Sequence, residues 1–305
     1  MSDPTPVLEP ATQEFVRHTA NPPYVYDMTL DQLRKAADAL QSGPVPRPEA
    51  TISSLPGGLR LIRPAGATGV LPVVLYLHGG GWVVGGAATH DRLVRELAVR
   101  ADAAVVFVEY SRSPEVRYPV AVEECHAALT WVAEHGAAYE LDPSRIAVAG
   151  DSSGGTMAAA LAIMAAPLLA GQLLYYPTLD TSFDTASYDQ FATGYWMRRD
   201  AMRWFWDQYA PSAADRAQVT AAPLRAGIAE LTGLPPALLV VGEADVLRDE
   251  GEAYARNLRR AGVAVTGVRY QGAIHDFVML DALRETQAAR AAVAQGGSFL
   301  REVLH

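Results

Sequence analysis

The apolar positions of this chain change period near residue 50. Before it, Leu30, Leu33, Ala37 and Leu40 recur at helical spacing behind Thr29-Leu30-Asp31-Gln32, a capping-box pattern that marks a helix start. Gly43-Pro44-Val45-Pro46 then breaks the chain. Beyond the break, short apolar runs alternate with helical patterns. Strands are predicted at 50–55, 58–63, Val73–Leu77, Ala104–Glu109, Arg145–Ala149, Gln172–Tyr176, Ala237–Val241 and Val263–Tyr270. Helices are predicted near 88–102, 120–135, 153–165, 249–261 and 282–304. Runs such as Val73-Val74-Leu75-Tyr76-Leu77 are apolar without alternation, as in strands covered on both faces of a mainly parallel sheet. The expected fold is α/β, with eight strands and helices on both faces.

One stretch departs from this rhythm. About sixty residues separate the strands at 172–176 and 237–241, long for a βα connection. They carry Tyr195, Trp196, Trp204, Phe205, Trp206 and Tyr209, and read as helical around Arg198–Tyr209. An aromatic insertion on the loop side of an α/β sheet reads as a lid. Some of its aromatics pack it onto the domain and others face a substrate. Tyr195 and Trp204, with Trp82 from a nearby loop, are the candidates for substrate contact.

The strongest chemical signal is Gly150-Asp151-Ser152-Ser153-Gly154-Gly155, between the strand Ile146–Ala149 and the helical run Thr156–Leu161. This is a Gly-x-Ser-x-Gly turn in its strand–turn–helix context, which exposes the serine at the carboxyl edge of the sheet. The following helix start offers free N–H groups to a developing oxyanion. A second signal, His78-Gly79-Gly80-Gly81-Trp82, follows the strand at 73–77. Consecutive glycines let N–H groups approach a ligand, supplying half of an oxyanion hole; the N–H of Ser153 supplies the other half. His78 reads as structural, bonded to its own loop.

A serine hydroxyl needs a base, and in this fold the chain order is Ser, Asp/Glu, His. Only His275 and the terminal His305 follow Ser152, so His275 is the expected general base. The acid should follow the strand at 237–241, where Glu243, Asp245, Asp249 and Glu250 offer carboxylates. Asp245 is best placed, Glu243 is the reserve, and Asp249 begins the next helix. The remaining histidines, His18, His90, His126 and His135, read as surface or satisfied core groups.

Composition narrows the alternatives. A net charge of -9 disfavours nucleic acid and anionic membrane surfaces as partners. Lys35 is the only lysine, so neither a P-loop nor a Schiff-base lysine is available. Cys125 is the single cysteine and reads as a small core residue; no Cys/His cluster has zinc-ligand spacing, and no metal or organic cofactor is expected. No apolar run is long enough to span a bilayer, and Met1–Pro6 lacks a basic region followed by an apolar stretch, so a cytoplasmic location is expected.

Together His78–Trp82, Tyr110–Glu124, Gly150–Gly155, Asp245–Asp249 and His275 resemble the hormone-sensitive-lipase-like family of bacterial esterases. The resemblance implies an α/β-hydrolase fold with a helical cap. Residues 1–48 and the insertion 181–225 would form the cap; 49–180 and 226–305 would form the catalytic domain. It implies oxyanion donors at Gly80, Gly81 and Ser153, a Tyr110 segment bracing the oxyanion loop, and a homodimer paired through the edge strand Val263–Tyr270. The activity implied is hydrolysis of short- to medium-chain acyl esters, the substrate being a small molecule. An amide, thioester, lactone or carbonate would use the same triad, and a non-catalytic ligand-binding homologue is the reading from another class. Three positions depart from the family pattern. Ser153 stands where alanine is usual, Asp276 follows His275 where glycine is usual, and Arg112-Ser113 replace Leu-Ala.

Overall fold

The computed structural model describes residues 5–305. Met1–Pro4, part of the opening segment read for a leader, lie outside the described residues. Helices α1 (Pro10–Thr19) and α2 (Leu30–Leu40) come first, then the hairpin β1 (Ala50–Ser54) and β2 (Arg60–Pro64). The alternating part follows as β3 (Leu71–Leu77), α3 (Ala87–Ala101), β4 (Ala104–Val108), α4 (Val120–His135), β5 (Leu141–Asp151), α5 (Ser153–Ala165) and β6 (Gly171–Tyr175). The insertion holds α6 (Ala186–Gln190), α7 (Arg199–Tyr209), α8 (Ala213–Arg216) and α9 (Ile228–Leu231). The chain closes with β7 (Ala237–Ala244), α10 (Arg248–Arg260), β8 (Val265–Ile274) and α11 (Gln287–Leu304).

The eight strands form one sheet in the order β1-β2-β4-β3-β5-β6-β7-β8. The first two pairings are antiparallel and the rest parallel. Every residue of β3, β4 and β6 is buried, as expected where helices cover both faces. α3 packs on α11 and α4 on α5. α5 is apolar almost all round, and its burial follows from that: a helix with no polar face has nowhere to go but the core.

Several element ends differ from the sequence expectation. β8 runs on through Gln271–Ile274, a stretch the sequence reads as a loop, because the β7 pairing resumes at Ala244 and Ile274 after a register shift. The last helix begins at Gln287 rather than near 282. Thr286 caps it by accepting the Ala289 N–H, and the Glu9 carboxylate accepts the Gln287 and Ala288 N–H groups at 2.9 Å each. α2 starts where its capping box predicts, with Thr29 and Gln32 bonded reciprocally.

The N-terminal helices lie against the insertion. Phe15 meets Trp196 edge-on at 5.0 Å, Tyr26 donates to Asp200 at 2.8 Å, and the Arg198 guanidinium sits over the Tyr24 ring. The insertion in turn holds the glycine-rich loop: the Trp82 ring stacks on Tyr209 at 4.1 Å, within 2° of parallel.

Candidate active site

The turn from β5 into α5 is built on two forced glycines. A Cβ on Gly150 would strike the Gly154 carbonyl, and one on Gly154 would strike the Leu77 carbonyl of β3. Any side chain there would push the strand and helix apart. Between them Ser152 has φ 51° and ψ -121°, a strained conformation that lifts its hydroxyl from the strand end.

His275 follows directly on β8, and Asp245 follows directly on β7. The structure brings the three together. His275 Nε2 lies 2.9 Å from Ser152 Oγ, and His275 Nδ1 lies 2.8 Å from Asp245 Oδ2. Asp245 Oδ1 accepts the Leu247 N–H at 2.9 Å, which fixes the carboxylate plane. All three residues are buried. Burial disfavours a charged imidazole, but Asp245, Asp276 and Asp151 together outweigh it and lift the His275 pKa to about 9. Glu243, the reserve acid, is engaged elsewhere, accepting the Gly272 N–H at 2.7 Å.

The glycine-rich loop after β3 is held from below by a residue that motif reading passes over. Asp151, the variable position before Ser152, has no exposed surface. It accepts the Tyr76 hydroxyl at 2.7 Å, the Gly79 N–H at 3.0 Å and His90 Nε2 at 3.2 Å. Burial disfavours the charge of both Asp151 and His90, yet each stabilises the other, so the Asp151 pKa is lowered and the His90 pKa raised. His78 bonds its neighbour's carbonyl, with burial pushing its pKa down to about 3. The Gly80 and Gly81 N–H groups have no hydrogen-bond acceptor among the described residues. Ser153 opens α5, where first-turn N–H groups lack helical partners.

The three departures acquire positions. Ser153 Oγ accepts the Trp82 N–H at 3.2 Å, so the hydroxyl ties the elbow to the glycine loop. Arg112 donates to the Gly85 carbonyl at 3.1 Å and the Ser113 N–H to the Trp82 carbonyl at 2.8 Å. Tyr110 donates to the His78 carbonyl, and Glu124 accepts both the N–H and the hydroxyl of Ser111. From the far side, Arg34 of α2 donates to the Val83 carbonyl at 3.0 Å. Asp276 Oδ1 stands 3.4 Å from His275 Nε2, while its Oδ2 accepts the Trp196 indole N–H at 2.9 Å.

Of the aromatics expected near substrate, Trp82 is fully buried between Tyr209 and Trp206 and is taken up by packing. Tyr195 and Trp204 remain partly exposed, edge-on to Phe191 and Phe205. Phe205, one of the insertion's aromatics but not one of the three expected at substrate, lies so close to Gly81 that a Cβ there would strike its ring.

A family model of the alpha/beta hydrolase fold matches residues 74–279. The chain is 42% identical over 241 residues to the carboxylesterase NlhH of Mycobacterium tuberculosis, covering 77% of this chain and 75% of that protein. It is 38% identical over 236 residues to the ethyl acetate hydrolase of Pseudomonas putida, covering 74% and 73%. The crystal structure of a thermostable esterase from Pseudomonas putida superposes with a TM-score of 0.95 at 44% identity, covering 99% of each chain. No helix among the described residues is long and apolar enough to cross a membrane. By these relationships the chain belongs to the α/β-hydrolase family, in its hormone-sensitive-lipase-like branch, and is a serine hydrolase of carboxylic esters.

Proposed function

We propose that Ser152, His275 and Asp245 are the catalytic triad and that the N–H groups of Gly80, Gly81 and Ser153 form the oxyanion hole. The observation that carries this is the unbroken contact chain Ser152 Oγ, His275 Nε2, His275 Nδ1, Asp245 Oδ2, with both links under 3 Å. Neutral His275 takes the Ser152 proton as Oγ adds to the ester carbonyl. Asp245 holds the proton on Nδ1 and stabilises the imidazolium. The tetrahedral oxygen points to the glycine loop and the helix start. Collapse expels the alkoxide, which takes the proton from Nε2. Water then enters, gives its proton to His275 and releases the acid, restoring Ser152.

The acyl group is short to medium in length. Support comes from the crowding above the nucleophile: Ser152 is only 3% exposed, and Phe205 closes on the glycine loop. In this reading residues 1–48 and 181–225 act as the cap, and Tyr195 and Trp204 contact substrate. The protein works in the cytoplasm, as a homodimer paired through β8, an edge strand of the sheet. Hydrolysis of p-nitrophenyl esters from acetate upward, with Ser152→Ala as control, tests the site and the acyl size. Activity peaking at short chains and lost in the variant is expected. Undiminished turnover by folded Ser152→Ala would overturn the triad. Light scattering of wild type and of a Val265→Lys variant tests the dimer, with a monomeric wild type as the contrary result.

A further inference from the structure

His275 Nε2 has two acceptors within reach. Ser152 Oγ lies at 2.9 Å and Asp276 Oδ1 at 3.4 Å. Only the first contact has hydrogen-bond geometry, and the difference matters, because a proton on Nε2 directed at a carboxylate is lost to the serine. Asp276 is carried on a backbone at φ 62°, in the left-handed region that aspartate tolerates and glycine occupies freely. What restrains its carboxylate comes from the insertion. Trp196, itself at φ 74°, donates its indole N–H to Asp276 Oδ2 at 2.9 Å. The same indole meets Phe15 of α1 edge-on.

We infer that Trp196 is a positioning residue for the base: its indole N–H holds the Asp276 carboxylate off the imidazole and so keeps His275 Nε2 on Ser152. The inference rests on the reading of His275 as general base. Asp276 then has two effects. It stabilises the imidazolium that forms as Ser152 attacks, acting through space beside Asp245. It also competes for the same Nε2 proton whenever Trp196 lets go. Because Trp196 bridges α1 and Asp276, any displacement of the insertion reaches the carboxylate beside the imidazole through one hydrogen bond.

The groups that face His275 are few. Asp245 follows β7, Asp151 ends β5, Asp276 follows His275 itself, and the Tyr176 ring meets the imidazole edge-on at 4.9 Å. Of the three carboxylates, only Asp276 is partnered by the insertion.

Three variants test the inference. Trp196→Phe keeps the ring and removes the N–H; Asp276→Asn keeps the shape and removes the charge; the third carries both changes. Trp196→Phe is expected to lower kcat by about tenfold, consistent with loss of one well-placed proton contact. Adding Asp276→Asn should recover most of that loss, since the competitor is then neutral. Asp276→Asn alone should move the acid limb of the kcat/KM profile down by about one pH unit, the effect expected of removing a nearby negative charge. A Trp196→Phe loss that Asp276→Asn does not recover would show that Trp196 only packs, and overturns the inference. So would an unmoved acid limb in Asp276→Asn. Thermal melting of each variant reports folding separately. Failure of the triad itself is read independently, from activity surviving in Ser152→Ala.

Discussion

Replacing Asp151 with alanine should damage the protein more than its place in the motif suggests. The substitution removes the acceptor of three buried donors at once: the Tyr76 hydroxyl, the Gly79 N–H and His90 Nε2. A buried donor left unpaired costs about 1–3 kcal/mol, and breaking a buried charge pair costs about 3–5 kcal/mol. Relief of carboxylate burial and loss of the His90 proton offset part of this. The expected destabilisation is therefore about 3–5 kcal/mol. Asp151→Asn retains an acceptor and should cost less, about 1–2 kcal/mol. The pair also sets a pH dependence. The His90 pKa is raised in the folded protein, so its contribution is complete below about pH 6.5 and is lost as pH rises through the folded value. The Asp151 pKa is lowered, so its contribution is present above about pH 4 and lost as pH falls through the folded value. Urea unfolding followed by tryptophan fluorescence at about pH 6 and about pH 9 measures the destabilisation and the His90 limb. The gap between wild type and variant should be wider at the lower pH. A gap below about 1 kcal/mol, or one that widens toward alkaline pH, would refute the reasoning.

Three further outcomes follow from the site. The carboxylates of Asp245 and Asp276 beside His275 raise its pKa to about 9, so the neutral imidazole that the proposed proton transfer needs grows as pH rises; kcat/KM should climb with pH along an acid limb lying above the ordinary imidazole range, whereas a limb below that range would contradict this. Gly81→Ala places a methyl against the Phe205 ring at a φ of 59°, displacing a proposed oxyanion donor, and should cut kcat on the order of 100-fold with a smaller change in KM; steady-state kinetics showing the reverse split would exclude that donor. Arg34→Ala strips the Val83 carbonyl of its donor and should cost about 1–2 kcal/mol, whereas Glu115→Gln, at a half-exposed ion pair, should cost less than about 1 kcal/mol; equal losses by thermal melting would show the ion pair to be the main effect.

The sequence makes the fold legible wherever burial leaves a continuous apolar run. β3 and the Ala237–Val241 part of β7 are covered on both faces, so their residues must be apolar, and the pattern is unmistakable. β8 is harder, because it lies at the sheet edge and its first half is largely exposed; its continuation through Ile274 depends on a register shift that has no sequence signature. The turn at Ser152 is legible because a steric rule demands glycine at Gly150 and Gly154. Asp151 is not, since the motif leaves its position free and its partners lie on β3, the loop at Gly79 and α3. Trp196 and Asp276 are 80 residues apart and meet only once the insertion is seated, which neither periodicity nor spacing predicts. The aromatics show the same limit. Composition marks the insertion as aromatic, but only packing separates Trp82, stacked on Tyr209, from the partly exposed Tyr195 and Trp204.

The carboxylate of Glu9 caps the helix that begins at Gln287, and Gln41 spans from the Thr89 carbonyl to Met279 and Asp281. Parts of the protein made early are thereby completed by parts made much later. During synthesis Glu9, and Gln41 on its Met279 and Asp281 side, must wait for these partners while most of the sheet is laid down, and Ser152 exists long before His275. Activity on the ribosome should thus arrive abruptly, with the docking of α11. A fusion at the carboxyl end that delays this docking would hold the nascent chain silent without touching a single residue of its site.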